Sequence, residues 1–221
     1  MPAALTRAFG QLGDPAILKI LWIAVAAAIL LIGLLTGGVV WALTSVEIPG
    51  FGWLSSLLQV LGGLAAFVVS LFLFPGVVGL VSSLFLDQVA GAVERRYYPG
   101  LGPARRQGLG EAIGTALRFL GVLLVFNLMA LIVSLLVPPF SLFVFYAVNG
   151  YLLGREYFEM VALRRMDPAA AAALRRRFGG RVLLGGVTIA VLISIPVLNL
   201  LVPVVATAFM VHVHRGLLAR A

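Results

Sequence analysis

Four long apolar stretches dominate this chain, and its charged residues fall between them. The most telling runs from Phe119 to Gly154: 36 residues without a charged side chain, bounded by Arg118 and Arg155. As one straight helix it would extend about 54 Å, against ~30 Å of bilayer hydrocarbon. Pro138 and Pro139 interrupt it near the middle. Pro139 lacks an N–H and Pro138 disfavours helix before it, which predicts a hairpin with arms of roughly 19 and 15 residues. An unpaired peptide group in hydrocarbon costs several kcal/mol, so the break must be shielded by protein or reach water. The second arm is shorter than the ~20 residues of a full span. The hairpin is therefore expected to enter the membrane and turn back.

The other stretches follow in order. Leu5, Ala8, Phe9 and Leu12 share one face of a short N-terminal helix, a pattern that suits the headgroup layer. Asp14-Pro15 reads as the N-cap and first residue of a span that continues to about Leu43. A connection carrying Glu47 leads to a second span, Trp53 to Phe74, with Trp41 and Trp53 placed as an interfacial aromatic pair. Pro75-Gly76 is expected to kink this helix, whose continuation runs to Glu94-Arg95-Arg96 along or beyond the membrane surface. Asp167-Pro168 caps a short helix ending in Arg175-Arg176-Arg177, with a stop at Gly179-Gly180. In the last stretch, Val182 to His214, Pro196 and Pro203 leave arms of about 14 and 11 residues, each too short to cross. A second re-entrant hairpin is expected. The predicted fold is thus an all-α integral membrane protein with two long transmembrane helices and two proline-broken, half-penetrating hairpins, folded as one domain over 1–221. Six short spans would satisfy the same parity.

Composition strengthens this picture. The chain is 62% hydrophobic and 11% charged, where soluble proteins have about 45–50% and 25%. The net charge of +8 would point to nucleic acid in a soluble domain. Here the basic residues flank apolar segments and mark topology, so no nucleic-acid partner is expected. With two spans and two hairpins, all 16 Lys and Arg face one compartment, and of 8 acids only Glu47 faces the other. By the positive-inside rule both termini are cytoplasmic. Cysteine is absent, which excludes disulfides and thiolate chemistry. No cleavable signal peptide is expected, because the first apolar run from Ile20 is longer than such a peptide's core.

Few residues carry candidate chemistry. Lys19 and the free N–H groups of Ala16 and Ile17 form either a small anion site or a capped, membrane-anchored helix start. Asn127 and Asn199 lie inside the hairpins and either hydrogen-bond neighbouring helices or line a polar path. Arg155 and Glu159, four apart, can form a structural ion pair. The Arg175-Arg176-Arg177 run either binds anionic lipid or is a solvated helix end. His212 and His214 fall on different helix faces, so no metal site is expected. No nucleophile–base pair, phosphate loop or paired carboxylates point to an enzyme, and no cofactor is expected.

Four segments carry a resemblance: Asp14 to Lys19, Phe85 to Arg96, Asn149 to Glu159 and Ile195 to Pro203. In their order and spacing they resemble the CysZ sulfate permeases and the related etoposide-induced-protein domain, over most of the chain. The resemblance implies two long transmembrane helices, two hemi-penetrating hairpins, homo-oligomeric assembly and passage of sulfate across the bacterial inner membrane for cysteine synthesis. The family's sulfate site looks like Gly, a hydrophobic residue and two arginines; those positions here hold Ala16, Ile17, Leu18 and Lys19. The expected function is a transporter or channel for sulfate or a related small anion. A non-transport protein that shapes the bilayer or scaffolds partners is the alternative.

Overall fold

The computed structural model describes residues 1–44, 52–105 and 108–221, and among them every regular element is helical. The expected connection around Glu47 lies outside the described residues. Helix α1 (Pro2–Gly10) precedes the two longest helices, α2 (Pro15–Thr44) and α3 (Gly52–Ser83). At 30 and 32 residues these two are about 45 and 48 Å long. They pack antiparallel: Thr36 Oγ1 meets Ser70 Oγ at 2.5 Å, and Gly62 lies against the Leu43 side chain. Trp41 and Trp53 are exposed at the far end of this pair.

Two sequence expectations are corrected in this half. Helix α3 continues past Phe74 through Pro75-Gly76, as expected, but it ends at Ser83 and does not run on to Glu94-Arg95-Arg96. A proline interior to a membrane helix forfeits one backbone bond, and neighbouring groups can make good the loss. The break comes later, where Leu84 and Phe85 donate to carbonyls three residues back and the chain turns into α4 (Leu86–Tyr97). The apolar face of α1 is not turned to headgroups: Leu5, Ala8, Phe9 and Leu12 pack into the protein core, against the C-terminal helix.

The first hairpin is α5 (Leu109–Leu136), a single 3₁₀ turn at Pro138–Phe140, and α6 (Ser141–Ala162). The predicted break is in place, but the arms have 28 and 22 residues because both helices run on through Arg118 and Arg155. Gly110–Leu136 thereby becomes a third helix long and apolar enough to cross a membrane, beside Pro15–Leu43 and Gly52–Leu71. None of its apolar window is buried.

Asp167 caps α7 (Pro168–Arg177) by accepting the Ala170 N–H at 2.9 Å. That bond holds the Asp167 carboxyl below its usual value. The glycines Gly179-Gly180 open the next helix, α8 (Gly179–Ile193), rather than trailing the previous one; the bend falls on Phe178. Phe178 packs on the core and is faced by Arg177 and Arg181. After the short α9 (Pro196–Asn199) comes α10 (Val202–Leu218). Pro203 sits in the first turn of α10, where its missing N–H is harmless, so this arm has 17 residues instead of about 11.

The core is built on α6, α8 and α10. Helix α8 lies antiparallel on α6 at backbone contact: a Cβ at Gly186 would overlap the Gly150 carbonyl and the Gly154 amide. Small residues allow such approach between membrane helices, where packing replaces the hydrophobic drive. Phe158, Phe209 and Met210 fill the space behind, fully buried. At the tip of the second hairpin Leu200 packs against Ala24, Ala28 and Val78. Ala24 and Ala28 lie about 14 to 20 Å along α2 from its start.

Candidate functional site

The ionic groups gather at one end of the helices. Glu94 on α4, 5% exposed, receives Arg165 through Nε at 3.1 Å and Nη2 at 2.5 Å. Arg164 Nη2 joins the same carboxylate at 3.1 Å, and its Nη1 reaches Asp87. Burial lowers the Arg164 pKa from its usual value, yet two carboxylates face it. Arg105 is held to Glu111 by both guanidinium ends, and its N–H donates to the Arg164 carbonyl at 2.8 Å. These contacts knit α4, the loop before α5 and the α6–α7 corner into one charged layer.

The predicted pair forms inside that layer: Arg155 Nε donates to Glu159 Oε1 at 3.1 Å. Sequence reasoning missed the third member, Arg175 of α7, whose Nε lies 3.1 Å from the same oxygen. Only the Asp167-Pro168 cap hinted that α7 would fold back over α6. Arg118 of α5 completes the rim of a cavity of about 80 Å³, with Thr115, Arg155, Glu159 and Arg175. A second cavity of about 380 Å³ adjoins it, sharing Thr115, Glu159 and Leu163, and is also lined by Arg105, Glu156 and Arg164.

Higher up, the arms of the first hairpin leave a groove of about 550 Å³ between α5 and α6. Asn127 and Ser134 line it from α5, Ser141 and Asn149 from α6. Each amide Nδ2 donates to the carbonyl one turn back, Leu123 for Asn127 and Phe145 for Asn149, both at 2.9 Å. Below the groove, Phe126 stacks on Tyr151 at 4.5 Å and Arg155 lies over the Phe119 ring at 5.9 Å. Basic pocket, aromatic pair and polar groove thus follow one another up the hairpin.

The other predicted residues lie elsewhere. Asn199 is half-buried at the tip of the second hairpin, away from the groove residues. Lys19 is exposed and Ile17 is buried. The Ala16 N–H is not free: it donates to Asp14 Oδ1 at 2.9 Å, while Asp14 Oδ2 meets Arg96 at 3.4 Å. An N-cap aspartate serves its own helix first, so the donor set expected at α2 is reduced to Lys19 and the Ile17 amide. His212 Nδ1 lies 2.9 Å from the Tyr98 hydroxyl, and His214 meets the Phe158 ring edge-on at 5.6 Å.

Residues 4–203 match the family described as Sulfate transporter CysZ/Etoposide-induced protein 2.4. The chain belongs to that family. No curated protein and no solved structure matches it. The family match and three helices long and apolar enough to cross a membrane are consistent with a sulfate-transporter-like membrane protein.

Proposed function

We propose that the protein passes small oxyanions, sulfate or a close relative, across a bacterial inner membrane. The observation that carries this is the sequence of surfaces along the first hairpin: a basic pocket at its foot and a neutral groove of amide and hydroxyl groups above it. Cationic side chains concentrate anions at a mouth, and neutral donors replace hydration along a path without trapping the ion. Asn127 and Ser134 stand about 14 and 24 Å above Arg118 along α5, so the groove spans about 10 Å of the ~30 Å hydrocarbon depth.

In this reading the membrane is crossed by α2 and α3, while both hairpins enter from the cytoplasm and return. Helix α5 alone has the length to cross, but the turn at 138–140 ties it to α6. From Arg155 to Ser141, α6 rises only about 21 Å. The contact of Leu200 with Ala24, Ala28 and Val78 supports a mid-depth tip for the second hairpin. The basic layer at one end favours cytoplasmic termini. Homo-oligomeric assembly, with annular lipids, is favoured by the uncovered length of α5: a polar groove open to acyl chains is costly unless protein or water faces it. Lys19 and the Ile17 amide would add a second cationic spot at the foot of α2. The alternative, a bilayer-shaping role, draws on wedge-like hairpins and an amphipathic terminus, and the second of these is weakened because the apolar face of α1 is packed on α10.

Purified protein in liposomes should admit labelled sulfate well above protein-free vesicles, and Asn127→Leu with Asn149→Leu should cut the flux at least tenfold. Flux equal to that of empty liposomes, for sulfate and a panel of oxyanions alike, would contradict the proposal.

A further inference from the structure

The small cavity between α5, α6 and α7 has an unbalanced charge. Arg118, Arg155 and Arg175 face it, and Glu159 is the only carboxylate among its described lining residues. Arg118 has no carboxylate within ion-pair range among the described residues. Glu159 Oε1 is shared between two guanidiniums, at 3.1 Å from each Nε. The Arg155 contact is an aligned hydrogen bond within α6. The Arg175 contact is not: its Nε is buried and has no hydrogen-bond acceptor in the structure. An ion pair without a directed bond is the weaker of the two and the easier to exchange.

The walls set the size of what fits. Pro168, Ala171 and Ala172 bring the small side of α7 to the cavity, and Thr115 offers a hydroxyl. The volume of about 80 Å³ is far below the ~300–1,000 Å³ of organic-ligand pockets. Two net positive charges in so small a space match one compact dianion. Guanidinium forks from three helices suit tetrahedral oxygens, which planar two-pronged donors grip in pairs.

We infer that this pocket binds a tetrahedral oxyanion and that Glu159 is its built-in competitor, displaced from Arg175 when the anion arrives. The ligand class rests on the transport reading above; the site itself rests on the pocket's own geometry and charge. The shared chemistry is a sulfate- or phosphate-type group, whether a free ion or a lipid headgroup.

Calorimetric titration of sodium sulfate into the protein in phosphatidylcholine nanodiscs tests this directly. Arg175→Gln and Arg118→Gln should each weaken binding tenfold or more. Glu159→Gln removes a negative charge beside the ligand and should tighten it about tenfold. Arg176→Gln, exposed on the same helix, serves as control and should leave the affinity unchanged. Repeating the titration with phosphatidylglycerol in the discs separates the sources: a free-ion site keeps its sulfate affinity, whereas a headgroup site loses it and retains the lipid in native mass spectra. Either result supports the pocket. Thermal unfolding identifies any variant that fails to fold, and Arg175→Lys, which keeps the charge but not the fork, then replaces it with an intermediate loss expected. Unchanged sulfate affinity in folded Arg118 and Arg175 variants, or weaker binding in Glu159→Gln, overturns the inference. Should flux persist in liposomes while the titration shows no binding, the pocket falls and the transport reading stands; binding without flux has the reverse meaning.

Discussion

Replacing Gly186 with valine should leave little folded protein. Helices α6 and α8 meet backbone to backbone, and a Cβ at Gly186 would already overlap the Gly150 carbonyl and the Gly154 amide. Neither obstacle is a flexible side chain that can swing aside, so the helices must separate. Overpacking a tight core usually costs about 1–3 kcal/mol, and backbone-on-backbone overlap belongs at or beyond the upper end. Gly185 provides the contrast. Its Cβ would meet the Met210 Cε at 3.3 Å, and a methionine end can adjust. Gly185→Ala should therefore unfold within a few degrees of the unaltered protein, while Gly186→Val should aggregate or melt far lower in detergent. A Gly186→Val variant with an unchanged melting temperature would contradict the close α6–α8 contact.

Removing the Glu94 carboxylate should be nearly as damaging. It is buried and pairs with both Arg164 and Arg165, and Arg164 is itself only 8% exposed. Breaking a buried ion pair by deleting one partner costs about 3–5 kcal/mol, because the other charge stays buried and uncompensated. Glu94→Ala should thus lower stability by several kcal/mol in denaturant titration, and Arg165→Met in the same chain should restore part of it. The exposed Arg96–Asp14 pair, at 3.4 Å, belongs to the class worth about 0–1 kcal/mol, so Arg96→Ala should have little effect. Equal effects of Glu94→Ala and Arg96→Ala would contradict the buried network.

Both predictions rest on contacts between distant parts of the chain, and those are what the sequence conceals. Hydropathy and proline place the two long helices, the break at 138–140 and the second break near Pro196, because desolvation and the missing proline N–H act locally. Arm lengths come out too short from sequence because Arg118 and Arg155 look like boundaries, although long basic side chains allow a helix to continue past the interface. Pro203 looks like a breaker but occupies a first turn, and the turn at Ser83 is hidden by the more conspicuous Pro75. The Arg155–Glu159 pair is legible because its partners are four residues apart. Arg175 on Glu159, and Arg164 and Arg165 on Glu94, join residues 16, 70 and 71 positions apart, and no local pattern encodes them. Asn127 stands out as a polar residue in an apolar run, whereas its facing partner Asn149 shows only as part of a motif.

The depth of the second hairpin decides the most. With no native cysteine, a single Asn199→Cys substitution gives a clean probe in right-side-out and inverted vesicles. A mid-depth tip packed on α2 and α3 leaves this thiol unreactive to membrane-impermeant maleimide from either side, while an Arg220→Cys control labels from the cytoplasmic face. Rapid labelling of the thiol introduced at position 199 from the periplasmic face would mean that the hairpin crosses the membrane, and the proposed half-depth architecture would be wrong.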